Sequence, residues 1–129
     1  MSLGEVMKAL TVRQPWASHL VHSGKDVENR TWPTTYYRGP LVIHAGQRVD
    51  EAAPPFDGPV PRGALIGVVD LVDVVGDHPS PWAEPGQRHW VLANPRPFPR
   101  PISYRGRLGL FELDGATSRK VRTLGLDRG

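Results

Sequence analysis

The segment Gly63–Val75, GALIGVVDLVDVV, is the most strand-like stretch of the chain. It is almost entirely apolar and rich in β-branched side chains, which pack well on a pleated surface, so it predicts one long central strand. Gly67 lies inside this run, and a glycine within a strand pattern is typical of a bulge or bend. The segment therefore predicts a strand that curves, as the strands of a small barrel do.

One helix and several shorter strands surround this segment. Pro15 suits the first turn of a helix, Trp16, His19 and Leu20 recur at helical spacing, and Gly24 provides a C-terminal stop, which predicts a helix over Pro15–His22. The other predicted strands are Lys8–Val12, Gly39–Ala45, Arg88–Ala93 and Gly109–Leu113, with extended segments at Lys25–Thr31 and Asn94–Pro101 and a proline-rich loop at Gln47–Arg62.

An early helix among five or six short strands predicts an α+β fold, a small mixed β-barrel with short flanking helices. A parallel βαβ architecture is disfavoured because long crossover helices are missing. The 129 residues suit a single domain, which we expect over residues 8–113. Residues 1–7 are then an N-terminal extension or an expression remnant, with Met7 as a candidate start. Residues 114–129 are a polar C-terminal tail, either a short helix or frayed.

Composition excludes several classes of protein. The chain has no cysteine, which rules out disulfide scaffolds, iron–sulfur clusters, thiolate zinc sites and cysteine nucleophiles. No apolar run approaches the ~20 residues that a membrane-spanning helix needs. The N-terminus lacks the basic and apolar regions of a signal peptide. These features predict a soluble, unexported, cytoplasmic protein with no membrane partner.

The positive charge is concentrated in the last third of the chain. The net charge is +3; residues 95–129 hold eight Lys and Arg against three Asp and Glu, whereas residues 1–94 hold eight against ten. Thirteen of the sixteen cations are Arg, whose planar guanidinium can grip a phosphate through two hydrogen bonds. This distribution permits a polyanionic partner, although a merely solvated surface explains it equally well.

The densest cluster of charged and aromatic residues lies between Arg13 and Arg38. Within it, GKDVENR, residues 24–30, follows the predicted helix stop and contains Lys25, Glu28 and Arg30. Strand alternation places Asp26, Glu28 and Arg30 on one face. A salt-bridge ladder on the surface of an edge strand is the simpler explanation of such a charge run, and composition alone favours it over a ligand site.

Three motifs in this region resemble the ASCH domain family. They are ALTVRQPWAS at residues 9–18, GKDVENR at 24–30 and RGPLVIHA at 38–45. The resemblance is strongest to the activating signal cointegrator-1 type of ASCH domain, and it continues more loosely through Leu113. It implies a PUA-like fold, a basic and aromatic cleft beside the early helix, and a nucleic acid, in the first place RNA, or a nucleoside as partner.

We therefore expect a nucleic-acid- or nucleoside-binding module. Arg13, Arg38, Arg105 and Arg107 are expected to contact phosphates, while Trp16, Trp32 or Tyr37 stacks on an unpaired base. The complete predicted binding set is Arg13, Gln14, Trp16, Lys25, Glu28, Arg30, Trp32, Tyr37, Arg38, Arg105 and Arg107. No cofactor is predicted.

Enzymatic and other roles remain as alternatives. Some small ASCH members resemble hydrolases of acylated cytidine or of RNA, which implies Lys25 as base or nucleophile with Glu28 assisting. The amidohydrolase-like members have Thr three residues after this Lys, where this chain has Glu28. Nearby Asp26 and Glu28 favour a charged Lys25 and hence binding. A third possibility is a protein-interaction adaptor.

A metal site is the remaining alternative. His19 and His22 are spaced to share one helix face, and Glu28 or His44 could add a third ligand. Without an HExxH motif or a cysteine, we expect helix packing for His19 and solvent exposure for His22, and no metal.

Overall fold

The structure of the protein is a computed structural model that describes residues 6–31 and 35–126. Its elements in chain order are β1 (Lys8–Gln14), α1 (Trp16–His22), β2 (Val27–Arg30), β3 (Gly39–Val49), β4 (Ala64–Val75), β5 (Arg88–Ser103), β6 (Leu110–Glu112) and α2 (Gly115–Thr123). The six strands form one sheet in the order β2-β5-β4-β3-β1-β6. Among the described residues, neither helix is long and apolar enough to cross a membrane.

The α+β class and the mixed sheet are confirmed. β1 and β3 pair in parallel, and the other neighbouring strands are antiparallel. Strand pairing does not close the sheet completely: within the described residues, the order ends at β2 and at β6. These end strands have four and three residues, and each pairs with a single neighbour.

β4 occupies the centre of the sheet and contains the predicted irregularity. Its pairing with β5 shifts register between Leu65 and Gly67, and its pairing with β3 shifts at the same level. Against β3, Ile66 is the extra residue of a bulge, which increases the local twist of the strand, whereas against β5 the extra residues lie on β5. At Gly67 the backbone lies so close to its neighbours that a Cβ atom would be 2.8 Å from the Arg96 carbonyl oxygen and 2.8 Å from the Val21 side chain.

The two faces of the sheet carry separate hydrophobic clusters. On one face Leu41 and Ile43 pack with Leu20 and Val21 of α1. On the other face Val42 belongs to a cluster that includes Val121 of α2. This division follows from strand alternation, which sends successive side chains to opposite faces. Each helix therefore covers one face.

The first helix lies at the predicted position, ends at His22 as predicted and differs by one residue at its start. It begins at Trp16, with Pro15 in the preceding N-cap position. Gly24 follows the helix with φ of +71°, a conformation that glycine adopts without strain. The chain then turns directly into Lys25, whose backbone N–H donates to the His19 carbonyl at 3.3 Å.

β5 is longer than the sequence predicted because it includes the proline-rich stretch after Ala93. Prolines occur at every second position from Pro95 to Pro101. β2 pairs with β5 only over Arg88–Val91, so the rest of that edge of β5 is not paired with another described strand. A free edge is where a strand tolerates residues that lack a backbone N–H.

The segment after Asp114 forms α2. The Asp114 carboxylate caps the helix by accepting from the Thr117 backbone N–H at 2.7 Å, and this bond is the main reason that the pKa of Asp114 lies below its ordinary value of 3.8. Val121 is fully buried, and Ser118 accepts a hydrogen bond from the Met7 backbone N–H at 2.9 Å. The helix is thus packed on the sheet and tied to the start of β1.

Substitution Gly67→Ala tests the close approach of α1 to β4. The added methyl group would collide with the backbone of β5 and with Val21, so we expect a loss of about 1–3 kcal/mol in the free energy of unfolding. Gly76→Ala, just after the same strand, meets only an ordinary contact and should change stability by less than about 0.5 kcal/mol. Urea denaturation measures both, and equal stability of the two variants would contradict this packing.

Candidate functional site

Lys25, Glu28 and Arg30 form a continuous chain of charges beside α1. Glu28 Oε1 lies 3.3 Å from the Lys25 amine, and Glu28 Oε2 lies 3.4 Å from Arg30 NH2. Asp26, predicted to share their face, is instead exposed and accepts a hydrogen bond from the Ser80 hydroxyl at 2.5 Å. The carboxylate of Glu28 is therefore held between two cations.

These charges do not form a surface ladder. Lys25 is 4% exposed and Glu28 9%, and the Lys25 amine also donates to the Val27 carbonyl. Removing charges from water is costly, and a buried carboxylate between two cations offsets part of that cost. The Arg30 side chain is 25% exposed, so Arg30 is the member of this chain that solvent reaches most easily.

Arg30 also connects two distant members of the sheet. Its NH2 group donates to the Thr11 carbonyl of β1 at 2.9 Å. β6 pairs with β1 only from Lys8 to Leu10, so Thr11 lies just beyond that pairing. β1 and β2 are four places apart in the strand order. The sheet is therefore curled so strongly that a single side chain of β2, that of Arg30, reaches the backbone of β1.

Trp16 adjoins this charge chain. The Lys25 amine lies 5.3 Å from the centroid of the Trp16 ring, within the range of a cation–π interaction. The indole N–H donates to Asp50 Oδ2 at 2.8 Å. This bond, followed by the Ala52 backbone N–H and the positive charge of Arg13, lowers the pKa of Asp50 from 3.8. Trp16, Lys25, Asp50 and Arg13 thus belong to one region.

Two loop aromatics that the sequence did not predict for the site complete this region. Trp82 meets Trp16 edge-on, with ring centroids 6.3 Å apart, and lies 5.5 Å from His19. The Phe56 ring meets the His19 ring edge-on, with centroids 5.5 Å apart. Each aromatic lies within a proline-rich loop, a pattern that offers a signal for a residue anchored on a neighbouring element.

Hydrogen bonds fix both loops against α1 and β2. His19 Nε2 contacts the Pro54 carbonyl at 2.9 Å, and its Nδ1 contacts the Ser23 hydroxyl at 2.9 Å. Asn29 donates to the Trp82 carbonyl at 2.9 Å, and its amide oxygen is 2.8 Å from His89 Nδ1. The aromatic cluster is thus held by polar contacts that the motifs alone do not indicate.

Hydrogen bonds of Thr11 hold two further predicted residues, Arg105 and Arg107, near the site. The Thr11 hydroxyl donates to the Arg107 carbonyl at 2.7 Å, and its oxygen is 3.1 Å from His44 Nδ1. His44 Nε2 contacts the Tyr104 carbonyl at 2.7 Å. These bonds hold the segment 104–107 beside the strand edge that Arg30 reaches. The side chains of Arg105 and Arg107 are exposed there.

Other predicted residues lie elsewhere or have internal partners. Gln14 is fully buried, and its amide accepts from the Ser18 N–H at 3.0 Å and donates to the Pro61 carbonyl at 2.8 Å. Tyr37 donates through its hydroxyl to the Pro40 carbonyl, and Arg38 pairs with Asp73 of β4 at 3.3 Å. Trp32 lies outside the described residues.

The charges around the site are asymmetric. The loops that flank α1 carry the acidic residues Asp50, Glu51, Asp57, Asp77 and Glu84, whereas residues 95–126 are predominantly basic. A polyanion is therefore repelled by the loops and attracted towards segment 105–107. In residues 6–31 and 35–126, no group of three metal-ligating side chains is brought together.

Comparisons with known proteins agree with this architecture. The ASCH domain model matches residues 10–102, which is most of the chain. Activating signal cointegrator 1 of Homo sapiens is 40% identical over 80 residues, and that of Mus musculus is 39% identical; each match covers 50% of this chain and 14% of the relative. This chain thus matches only a small part of those proteins.

Solved structures show the same fold. The ASCH protein of Zymomonas mobilis superimposes with a TM-score of 0.62 at 18% identity, covering 95% of this chain and 96% of that one. A single-residue variant of the same protein superimposes with a TM-score of 0.61, covering 95% and 99%.

The Trp16–Asp50 bond yields a prediction for acid conditions. Because the folded pKa of Asp50 is lowered, its ionised form stabilises the fold at pH values above 3.8, and this contribution is lost as the pH falls through the folded pKa. Trp16→Phe keeps an aromatic ring but removes the indole N–H donor, so we expect the pKa of Asp50 to rise towards 3.8. An NMR titration of side-chain carboxyl signals measures this, and an unchanged Asp50 pKa would contradict the assignment.

Proposed function

The chain belongs to the ASCH domain family, and we propose that it binds single-stranded RNA at the surface formed by Trp16, Arg30 and segment 105–107. We call this the α1 surface. ASCH domains are PUA-like domains implicated in RNA binding. The proposal adds which residues of this chain contact the RNA.

The arrangement at Thr11 is the observation that carries the proposal. One residue accepts from Arg30 through its carbonyl and donates to Arg107 through its hydroxyl. The partly exposed guanidinium of β2 and the exposed cations of segment 105–107 are consequently held at one strand edge. Positioned arginines beside an aromatic side chain are typical of surfaces that bind unpaired nucleotides.

The surface offers different contacts to the bases and to the backbone. Trp16 is half-buried and fixed by Asp50, so it can present a rigid ring for stacking with little loss of side-chain entropy. Arg105 and Arg107 can neutralise phosphates, as Arg13 can near Asp50. The acidic loops on either side of α1 orient the strand, because they repel phosphates from that side.

The proposal predicts a steep dependence of RNA binding on salt. For a single strand, the slope of log K against log salt is about −0.7 for each phosphate neutralised. Arg105→Gln with Arg107→Gln should therefore make the slope shallower by about 1.4. Fluorescence anisotropy with a labelled oligoribonucleotide at several salt concentrations measures this slope.

Arg48→Gln with Arg62→Gln is the matched control, since both residues are exposed, Arg48 near the end of β3 and Arg62 on the β3–β4 connection. This control should keep the wild-type slope. The α1 surface is rejected if both double variants change the slope equally, or if wild-type binding does not respond to salt at all.

The hydrolase alternative depends on Lys25 acting as a base or nucleophile. Such a role requires an amine that can lose its proton and reach a substrate. Here the amine donates to the Val27 carbonyl and to Glu28, lies beside the Trp16 ring and is almost completely buried. These contacts support a structural cation that positions Glu28 and, through it, Arg30.

Lys25→Arg separates the two interpretations. The change keeps the positive charge, so a folded variant should bind RNA within about 10-fold of wild type, whereas a guanidinium cannot act as a base. Wild type should hydrolyse neither RNA nor an acylated cytidine. Circular dichroism confirms folding, and Lys25→Met provides a second variant of smaller bulk. Hydrolysis by wild type that disappears in both variants would establish the enzyme instead.

A further inference from the structure

A set of exposed cations lies on the opposite face of the sheet from α1. Its members are Arg100 of β5 and Arg119 and Lys120 of α2, which we call the α2 ridge. We propose that the α2 ridge binds the phosphate backbone of the RNA strand that occupies the α1 surface. This inference rests on the proposed function and extends it to a longer, continuous binding track.

The second half of β5 runs alongside α2. At one end the Tyr104 hydroxyl lies 3.1 Å from Oδ2 of Asp114, the N-cap of α2. At the other end Arg96 Nε donates to the Leu126 carbonyl, beyond the last turn of the helix, at 2.8 Å. The strand and the helix therefore run in opposite directions, and Arg100 lies midway between these contacts.

Arg100 lies on β5 between Phe98 and Ile102, in a stretch where the pairing with β4 shifts register. Phe98 is buried in the cluster that contains Val121 of α2, and Ile102 packs against that cluster. Arg100 itself is exposed, so it reaches solvent at the border of strand and helix.

Arg119 and Lys120 point away from the buried stripe of α2. Ser118 and Val121 are the buried residues of the helix, and the two residues between them are exposed. The guanidinium of Arg119 lies beside Gly115 in the first turn, close to the end of the helix that Tyr104 contacts. The ridge cations thus extend from the middle of the helix towards segment 105–107.

The ridge is not neutralised by other described residues. Among those residues, the side chains of Arg100, Arg119 and Lys120 form no ion pair or hydrogen bond. The neighbouring cations Lys8 and Arg96 differ, because they pair with Glu112 and Asp70 at 2.9 Å. The exposed carboxylates that precede α2, Glu112 and Asp114, are engaged by Lys8 and by the first turn of the helix, so neither pairs with a ridge cation.

The segment between Tyr104 and Arg107 connects the ridge to the α1 surface. Tyr104 contacts the start of α2, and Arg107, three residues later, contacts Thr11 at the strand edge reached by Arg30. A strand bound at both surfaces must pass around this edge of the sheet. A short oligonucleotide can occupy the α1 surface alone, and only a longer one can reach the ridge.

The chemistry of the ridge indicates contacts to phosphates rather than to bases. Its members are two arginines and a lysine, and the aromatic residue at its end, Tyr104, is stacked on Phe111 with centroids 6.4 Å apart. Contacts to phosphate add affinity and fix the path of a strand, but they carry no sequence information. The ridge should therefore increase affinity for long RNA without changing sequence preference.

The test compares the full chain with a triple variant, Arg100→Gln, Arg119→Gln and Lys120→Gln. Binding to RNA of about 5 and about 15 nucleotides is measured by fluorescence anisotropy over a salt series. For the longer RNA, the variant should show a salt slope shallower by about 2 and a loss of the affinity gained with length. For the shorter RNA, variant and wild type should agree.

The control for loss of surface charge is Arg48→Gln with Arg62→Gln, both exposed and outside the ridge and the α1 surface. It should behave as wild type with both RNAs. Equal slopes for wild type and the ridge variant on the longer RNA would overturn the ridge proposal. So would equal losses in the ridge variant and the control, which would show a general charge effect.

Trp16→Leu distinguishes failure of the ridge from failure of the α1 surface. Weakened binding of both RNAs in Trp16→Leu, with no effect of the ridge variant, leaves the α1 surface in place and rejects the ridge. An effect of the ridge variant with none from Trp16→Leu rejects the α1 surface. If the ridge variant lost binding to anionic lipid vesicles to the same extent as binding to RNA, RNA would be rejected as the partner of the ridge.

Discussion

The hydrogen bond from Arg30 to the Thr11 carbonyl joins two edges that no strand pairing connects. It accompanies the curling of the sheet that brings β2 close to β1, and Glu28 Oε2 lies 3.4 Å from the same nitrogen of Arg30. The other carboxylate oxygen of Glu28 lies 3.3 Å from the buried amine of Lys25. One chain of charges thus fixes the position of the partly exposed arginine across the curled sheet.

The features of the fold that depend on local sequence pattern could be predicted, and those that depend on long-range contacts could not. Gly63–Val75 predicted the central strand and the bulge near Gly67, because both depend on local side-chain pattern. Strand pairing that would close the sheet completely is not observed among the described residues. Whether edge strands pair depends on their length and on the tertiary contact of Arg30, which no periodicity encodes.

The site could be predicted in part for a similar reason. The segment of residues 24–30 indicated the charges but not their burial, and alternation placed Asp26 with Glu28 although Ser80 holds it elsewhere. Trp82 and Phe56 were missed because their loops are distant in sequence and are fixed by contacts with Asn29 and His19. Long-range hydrogen bonds of this kind leave no spacing pattern.

Chemical-shift mapping by NMR tests the binding surface most directly. The indole N–H of Trp16 and the terminal guanidinium N–H groups of Arg30 report on the α1 surface, and the buried indole N–H of Trp90 is an internal control. On titration with single-stranded RNA, the Trp16 and Arg30 signals should shift with saturation while the Trp90 signal stays in place. Saturable shifts confined to residues away from Trp16, Arg30 and segment 105–107 would contradict the account.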